Sequence, residues 1–324
     1  MTDSKYMIIT HTDMDGIGSA AIYMYYRDTK PFKILFTEPY LLYKTLEKLL
    51  SNKKILDNIE EIALMDLGLN LATIDKIYEY VKILIDNNIS IEWYDHHIWD
   101  IEWKKKFEEL GVKIYVDTST CATGVVAKYS KIMRDKVDKE FINEVVSGVC
   151  AGDLWRFDHW RGPWFLRLVR RRDSQEWRIY VIEKIAKGTI WCEEFTDKVV
   201  ERFEQELRAY NEIRENMIVK IIDNLKIVIT MQHPLLDNSF TAAFIMGRTD
   251  ADIAVIASRD GKISLRSRGY NVRELAKHFG GGGHPRAAGF KINIPFIIRL
   301  KSFFNKQAVM KYVLSLIEET IIKS

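Results

Sequence analysis

The sequence predicts an α/β protein: a doubly wound, mostly parallel sheet, then a linker helix and a smaller α/β unit. Three observations carry that prediction. Apolar runs at 6–10, 33–36, 61–65, 90–94 and 112–116 alternate with helical patterns through the first hundred-odd residues. Three of these runs stop at side chains that bind metal or move protons. Tyr6–Thr10 leads into His11-Thr12-Asp13-Met14-Asp15-Gly16, Glu61–Met65 into Asp66-Leu67-Gly68, and Ile91-Glu92-Trp93-Tyr94 into Asp95-His96-His97. An open α/β sheet places its site at such strand ends. Finally, 324 residues suffice for two cores. The expected division is 1–195, a linker helix over 196–225, and 226–324.

Composition narrows the class. With 47% hydrophobic and 29% charged residues the chain reads as an ordinary globular protein. A net charge of +3 sets up no global field, so any basic binding surface must be local. Cys121, Cys150 and Cys192 show no C-x-x-C pairing and are expected to be reduced, buried thiols in a cytoplasmic protein. No apolar run approaches the roughly 18 residues of a membrane span. The strand pattern starts so early that no signal peptide is expected.

In chain order, the first strand is followed by Gly16-Ile17-Gly18-Ser19-Ala20-Ala21, small residues that open a helix. A strand over 33–36, a helix over 42–50, the strand at 61–65 and a helix over 72–85 follow. The strand at 90–94, a helix over 102–110 and a strand at 112–116 complete the alternation. Hydroxyls at Thr118, Ser119, Thr120 and Thr123 can cap the next helix, over 123–133. Another over 138–151 ends at Gly152-Asp153. Beyond it Trp155, Trp160, Trp164 and Trp177 interleave with arginines, among them Arg170, Arg171 and Arg172. Such interleaving either binds single strands by stacking and charge or marks amphipathic helices with core tryptophans. The smaller unit reads as strand 226–231, helix 239–246, strand 252–258, a turn at Asp260-Gly261, strand 262–268 and helix 272–279. A glycine loop, a strand near 290–294 and a helix over 307–322 close it.

The strand-end residues imply chemistry. His11, Asp13, Asp15, Asp66, Asp95, His96, His97 and Asp153 would crowd carboxylates and imidazoles together, and that much negative charge would repel itself. Two divalent cations resolve the conflict. Mixed His and carboxylate ligation suits Mn²⁺, with Mg²⁺ the main alternative. A pair of ions roughly 3.5–4 Å apart is the usual device for phosphoryl hydrolysis.

These motifs, in this order, resemble the DHH phosphoesterase superfamily, and Gly281-Gly282-Gly283-His284 resembles the signature of its DHH-associated C-terminal domain. Gly152-Asp153-Leu154-Trp155, the strand Ile263-Ser264-Leu265-Arg266-Ser267 and the four-glycine loop are most similar to the nanoRNase B type. The resemblance implies that His11, Asp13 and Asp66 hold one Mn²⁺. It implies that Asp15, Asp66, His96 and Asp153 hold the other, with Asp66 bridging. His97 would face the phosphate, and Asp95 would orient a ligand imidazole.

The glycine loop lets the backbone approach an anion, and His284 adds a donor. Arg266 and Arg268 share one face by period-two alternation and, with Arg286, can pair with phosphate. The expected activity is metal-dependent hydrolysis of short single-stranded RNA or DNA oligonucleotides to mononucleotides. Alternatives are a RecJ-like exonuclease on longer strands, a 3′,5′-bisphosphonucleotide phosphatase, and a non-catalytic nucleic-acid-binding scaffold. An apolar face on the C-terminal helix offers a surface for a homodimer.

Overall fold

The computed structural model describes residues 5–305 and 307–323, which divide between Val199 and Val200 into two compact units. The first is built on five largely apolar strands, the central three almost wholly buried, as expected of strands covered on both faces. In chain order come β1 (Tyr6–Thr10), α1 (Met14–Arg27), β2 (Lys33–Phe36), α2 (Leu42–Leu50), α3 (Lys53–Leu56), β3 (Glu61–Met65), α4 (Ile74–Asp86), β4 (Ser90–Asp95), α5 (Ile101–Glu109) and β5 (Lys113–Val116). Every strand pairing is parallel and the order is β2-β1-β3-β4-β5. The chain therefore reverses direction across the sheet between β1 and β3, the point where doubly wound sheets open a crevice.

Helices cover both faces. On one side α2, α4 and α5 bury Leu42, Leu46, Ile74, Val81 and Phe107 against Trp93 and Leu64. The spacing of Ile74, Ile77, Val81 and Leu84 puts one apolar stripe on α4. Trp93 anchors this core: its indole donates to the Leu67 carbonyl at 3.0 Å and meets Trp99 and Phe107 edge-on. The other side is covered by α1 with α6 (Ala122–Tyr129), α7 (Lys139–Asp153), α8 (Gly162–Leu168) and α9 (Gln175–Ala186). Buried almost all round, α1 depends on small residues: a Cβ at Gly18 would lie 2.6 Å from the Thr123 hydroxyl of α6.

The second unit begins within α10 (Glu193–Asn216). It comprises β6 (Ile218–Ile222), β7 (Leu225–Met231), α11 (Asn238–Thr249), β8 (Ile253–Ala257), β9 (Lys262–Ser267), α12 (Val272–His278), β10 (Gly282–His284), β11 (Ala287–Lys291), α13 (Phe296–Phe304) and α14 (Ala308–Lys323). Its sheet runs β10-β11-β9-β8-β7-β6, antiparallel except for β7 beside β8. One face packs on α12 and α14, the other on α11 and the end of α10. No described helix is long and apolar enough to cross a membrane.

Several expectations are corrected. The helix expected over 196–225 stops at Asn216, and residues 218–222 pair with 225–231 across Asp223-Asn224. Both turn residues have positive φ (46° and 64°), which Asp and Asn tolerate and which the tightest hairpins require. The strand expected near 290–294 lies at 287–291 and belongs to a hairpin with β10, since the glycines continue a ladder instead of forming a loop. Residues 162–168 and 175–186 are helices, while Trp155 and Trp160 stay substantially exposed. The three cysteines are not all free thiols. Cys121 and Cys150 are bonded to each other, because the start of α6 packs on the end of α7; Cys192 is the free cysteine among the described residues.

Trp93→Ala would leave a void beneath β4. It is expected to lower the unfolding free energy of the first unit by about 3–5 kcal/mol, read from urea denaturation followed by circular dichroism.

Candidate metal centre

The acidic and imidazole groups at the carboxyl ends of β1, β3 and β4 are gathered at the sheet's reversal point, and the last residue of α7, Asp153, joins them. Local structure fixes each one. Thr10 donates its hydroxyl to the Gly16 carbonyl at 2.7 Å, folding the 11–15 loop back on the strand. Asp13 caps α1, accepting from the Gly16 amide. A Cβ at position 16 would lie 2.6 Å from the His11 carbonyl oxygen, so only glycine permits this closure. Asp66 turns off β3 with φ +55°, and its amide donates to the Tyr94 carbonyl of the neighbouring strand.

Asp15 is held from outside the sheet. Its carboxylate accepts from the Ala122 amide at 2.7 Å, the Thr123 amide at 2.8 Å and the Thr123 hydroxyl at 2.7 Å, all at the start of α6.

The ligand atoms cluster in three groups: His11, Asp13 and Asp66; Asp15, His96 and Asp153; and Asp66, His96 and His97. Asp66 divides its oxygens between them. Oδ2 lies 3.2 Å from His11 Nδ1, which also meets Asp13 at 2.8 Å, whereas Oδ1 lies 3.6 Å from His96 Nε2. His96 Nε2 is also 3.7 Å from Asp15 Oδ2 and 3.6 Å from Asp153 Oδ2. These separations are too long for good hydrogen bonds, and His96, Asp15 and Asp153 offer ligand atoms that all lie within 4.8 Å of one another. Asp153 Oδ2 is buried without a hydrogen-bond partner.

Electrostatics describes the same frustration. Burial, reinforced by the Asp66 carboxylate, pushes Asp15 up to about 7. Burial, with Asp15, Asp66 and Asp13 nearby, lifts Asp153 well above the usual carboxylate range. Burial opposes a charge on His96, but Asp66, Asp15 and Asp153 outweigh it and raise the imidazole to about 10. His11 is likewise raised against its burial by Asp13, Asp66 and Glu38. Carboxylates that must hold protons, and an orphaned buried oxygen, are what a set of cation ligands looks like when its charge is uncompensated. The mixed donors fit divalent transition-metal ions.

His97 and Asp95 form a separate pair. Asp95 is fully buried; it bonds His97 Nδ1 at 2.8 Å and accepts from the Trp99 indole at 2.6 Å. Asp95 thus orients His97, and not the ligand-type imidazole of His96. Its hydrogen bond raises the His97 pKa.

Three neighbours escaped the sequence reading. Glu38, just beyond β2, accepts from the Thr12 hydroxyl at 2.5 Å and lies 3.2 Å from His11 Nε2, the arrangement that fixes a ligand imidazole's tautomer. The rule that flagged the ends of β1, β3 and β4 applies equally to this strand. Buried Arg178 donates to the carbonyls of Thr12, Arg170, Arg171 and Asp173, binding the arginine turn to the His11–Asp15 loop. Thr123 lay in a hydroxyl-rich run read only as a helix cap.

In the second unit the anticipated anion residues separate. Arg266 pairs in register with Ala287, and Ala287 with His284, so Arg266 and His284 share one sheet face roughly 10 Å apart. Arg266 is half-buried and donates to Ser239 at the start of α11. Arg268 turns instead to Asp250 and the Met246 carbonyl, near the other end of α11, and does not join Arg266. The glycines serve the hairpin: a Cβ at Gly281 would lie 2.2 Å from the Gly289 carbonyl oxygen, and one at Gly283 2.6 Å from that of Ala287. Gly280 and Gly282 have open space around them, and His284 and Arg286 are exposed.

Residues 225–309 match the model of the DHHA1 domain. No curated protein matches the sequence. Among solved structures, a pGpG-specific phosphodiesterase from Vibrio cholerae aligns at 15% identity over 94% of this chain and 99% of its own (TM-score 0.56). An exopolyphosphatase-related protein from Bacteroides fragilis aligns at 18% identity over 96% and 92% (TM-score 0.54). RecJ from Thermus thermophilus, in complex with Mn²⁺, aligns at 13% identity over 97% of this chain but 52% of RecJ (TM-score 0.56). At such identities the likeness is one of fold alone: a parallel α/β unit followed by a smaller mixed-sheet unit.

Thr123→Val keeps the side chain's shape and removes its hydrogen bond to Asp15. Mn²⁺ affinity by calorimetry is expected to fall about 10–100-fold while the circular dichroism spectrum is retained. Asp153→Asn removes a buried carboxylate whose pKa folding raises, so its charge costs stability once the pH passes its unfolded value. At pH 8 without metal the melting temperature should rise by about 2–4 °C, and the further rise given by Mn²⁺ should be smaller than in the wild type.

Proposed function

We propose that the protein is a metal-dependent phosphodiesterase of the nanoRNase B type, hydrolysing short single-stranded oligonucleotides to mononucleotides. The observation that carries this reading is the placement of Asp66, whose two oxygens face two donor groups, His11 with Asp13 and His96 with Asp15 and Asp153. His11, Asp13 and Asp66 would hold one cation and Asp15, Asp66, His96 and Asp153 a second. Such a pair, when bound, would supply Lewis acidity at the phosphoryl oxygens and lower the pKa of water.

The chain's own residues do the rest. His97, held by Asp95, presents its Nε2 edge to the phosphoryl group or the leaving oxygen, where a proton must be given or shared. Glu38 keeps His11 in one tautomer, and Thr123 keeps Asp15 aimed. On the second unit, Arg266 and His284 share one sheet face and offer donors to an anion. Mn²⁺ is the ion best suited to the donors, and Mg²⁺ is the alternative.

A second reading rests on Trp155 and Trp160, which follow Asp153 with exposed rings and could stack the bases of a longer strand. Labelled RNA and DNA of two to twenty nucleotides, digested with Mn²⁺, separate the two. Faster cleavage of dinucleotide than of 20-mer is expected, and the reverse order would replace the first reading with the second. Asp66→Asn should reduce either rate by several orders of magnitude and lower the Mn²⁺ stoichiometry measured by calorimetry.

A further inference from the structure

A cavity of about 700 Å³ opens beside the His11–Asp15 loop, walled by β2, α2 and the arginine turn and lined on one side by Thr12. Its volume falls within the roughly 300–1,000 Å³ of small-molecule sites. The lining is unlike the acidic centre next to it. Lys44 and Lys48 stand one turn apart on α2, Lys33 comes from β2, and Arg171 from the turn before α9. None of the three lysines forms an ion pair among the described residues. Glu38 is the one acid in the lining, and it is engaged by Thr12 and His11.

The position of Arg171 is built in. Arg178, buried behind it, binds the carbonyls of Arg170 and Arg171 together with that of Thr12, so the guanidinium-bearing turn and the donor loop are joined as one piece. Arg171 lies 3.8 Å from Glu38 and stays two-thirds exposed, leaving most of its donors available to a ligand. Between the cations the walls are apolar and aromatic. Phe36 contributes to the wall, and the Tyr40 ring, 55% exposed, stands in the lining.

Cations around a cavity with apolar and aromatic walls are recognition elements for a phosphate joined to an aromatic base. We propose that this cavity is a nucleotide subsite, taking a base against Tyr40 and Phe36 and its phosphate among Lys44, Lys48 and Arg171. The inference builds on the phosphodiesterase reading, because a nucleotide seated beside Thr12 would continue a substrate chain whose scissile phosphate lies at the donor cluster. The subsite also explains why an arginine turn is fastened to the His11–Asp15 loop.

The test is equilibrium binding of adenosine 5′-monophosphate and of inorganic phosphate to the full chain in excess chelator, where no hydrolysis occurs. The wild type is expected to bind the nucleotide more tightly than phosphate. The double variant Lys44→Glu/Lys48→Glu should weaken nucleotide binding tenfold or more, and Tyr40→Ala should weaken nucleotide but not phosphate binding, by about tenfold. Nucleotide affinity unchanged in both variants overturns the subsite. Equal affinity for nucleotide and phosphate, indifferent to Tyr40, overturns it in favour of a bare anion site. Dinucleotide hydrolysis with Mn²⁺ is scored separately. A subsite that binds nucleotide in a protein without that activity stands alone, and an active enzyme with unaffected binding loses only the subsite.

Discussion

The constraint on which this structure depends is the convergence of Asp13, Asp15, Asp66 and Asp153 at one end of a sheet that is otherwise oil. Asp13 and Asp15 arrive together at the start of α1, Asp66 at the end of β3 and Asp153 at the end of α7, and each is fixed by its own contacts: a helix cap, the start of α6, a left-handed turn and a helix end. Because those contacts are independent, the carboxylates cannot move apart to relieve their repulsion. The strain shows in their titration: burial and mutual repulsion raise Asp15 and Asp153, and the surrounding carboxylates raise His11 and His96 against their burial. A scaffold that holds like charges together this firmly is preorganised for cations.

Topology makes the convergence possible. Reversal of strand order between β1 and β3 leaves their loops running to opposite sides, and the gap admits side chains from both neighbours. β4 adds its imidazoles from the next position, and α7, lying across the α1 face, brings Asp153 to the same rim. The aromatic core under β4 has a role here too. Trp93 packs beneath the strand, and Trp99, in contact with it, holds Asp95, so the orientation of His97 is transmitted from the hydrophobic interior.

The first unit was largely legible in the sequence because its signal is redundant. Each buried parallel strand is a mostly apolar run that gives way at its carboxyl end to polar residues, so strand positions and strand-end residues were found together. The second unit was less legible for physical reasons. Asp223-Asn224 read as part of a charged helix, because its turn-forming capacity shows only when the flanking residues are known to pair. Glycines at 281–283 suggested a ligand loop, whereas close backbone approach within a hairpin needs glycine just as strongly. The Cys121–Cys150 bond and the partners of Thr123 and Arg178 are tertiary facts spanning 29 to 166 residues, with no local pattern to announce them.

Arginines show best why composition alone misleads. The run at 170–178 suggested a surface that follows nucleic acid, yet its members do different jobs. Arg178 is buried and meets only carbonyl oxygens in its hydrogen bonds, so it acts as a structural bolt whose charge is spent on four peptide dipoles. Burial of that charge costs free energy, and a bolt made of apolar contacts would hold the same two segments without that cost. What apolar contacts would not provide is direction. A guanidinium donates in a fixed plane and so sets the angle between the arginine turn and the His11–Asp15 loop. That angle decides whether Arg171 faces the cavity beside Thr12 or open solvent.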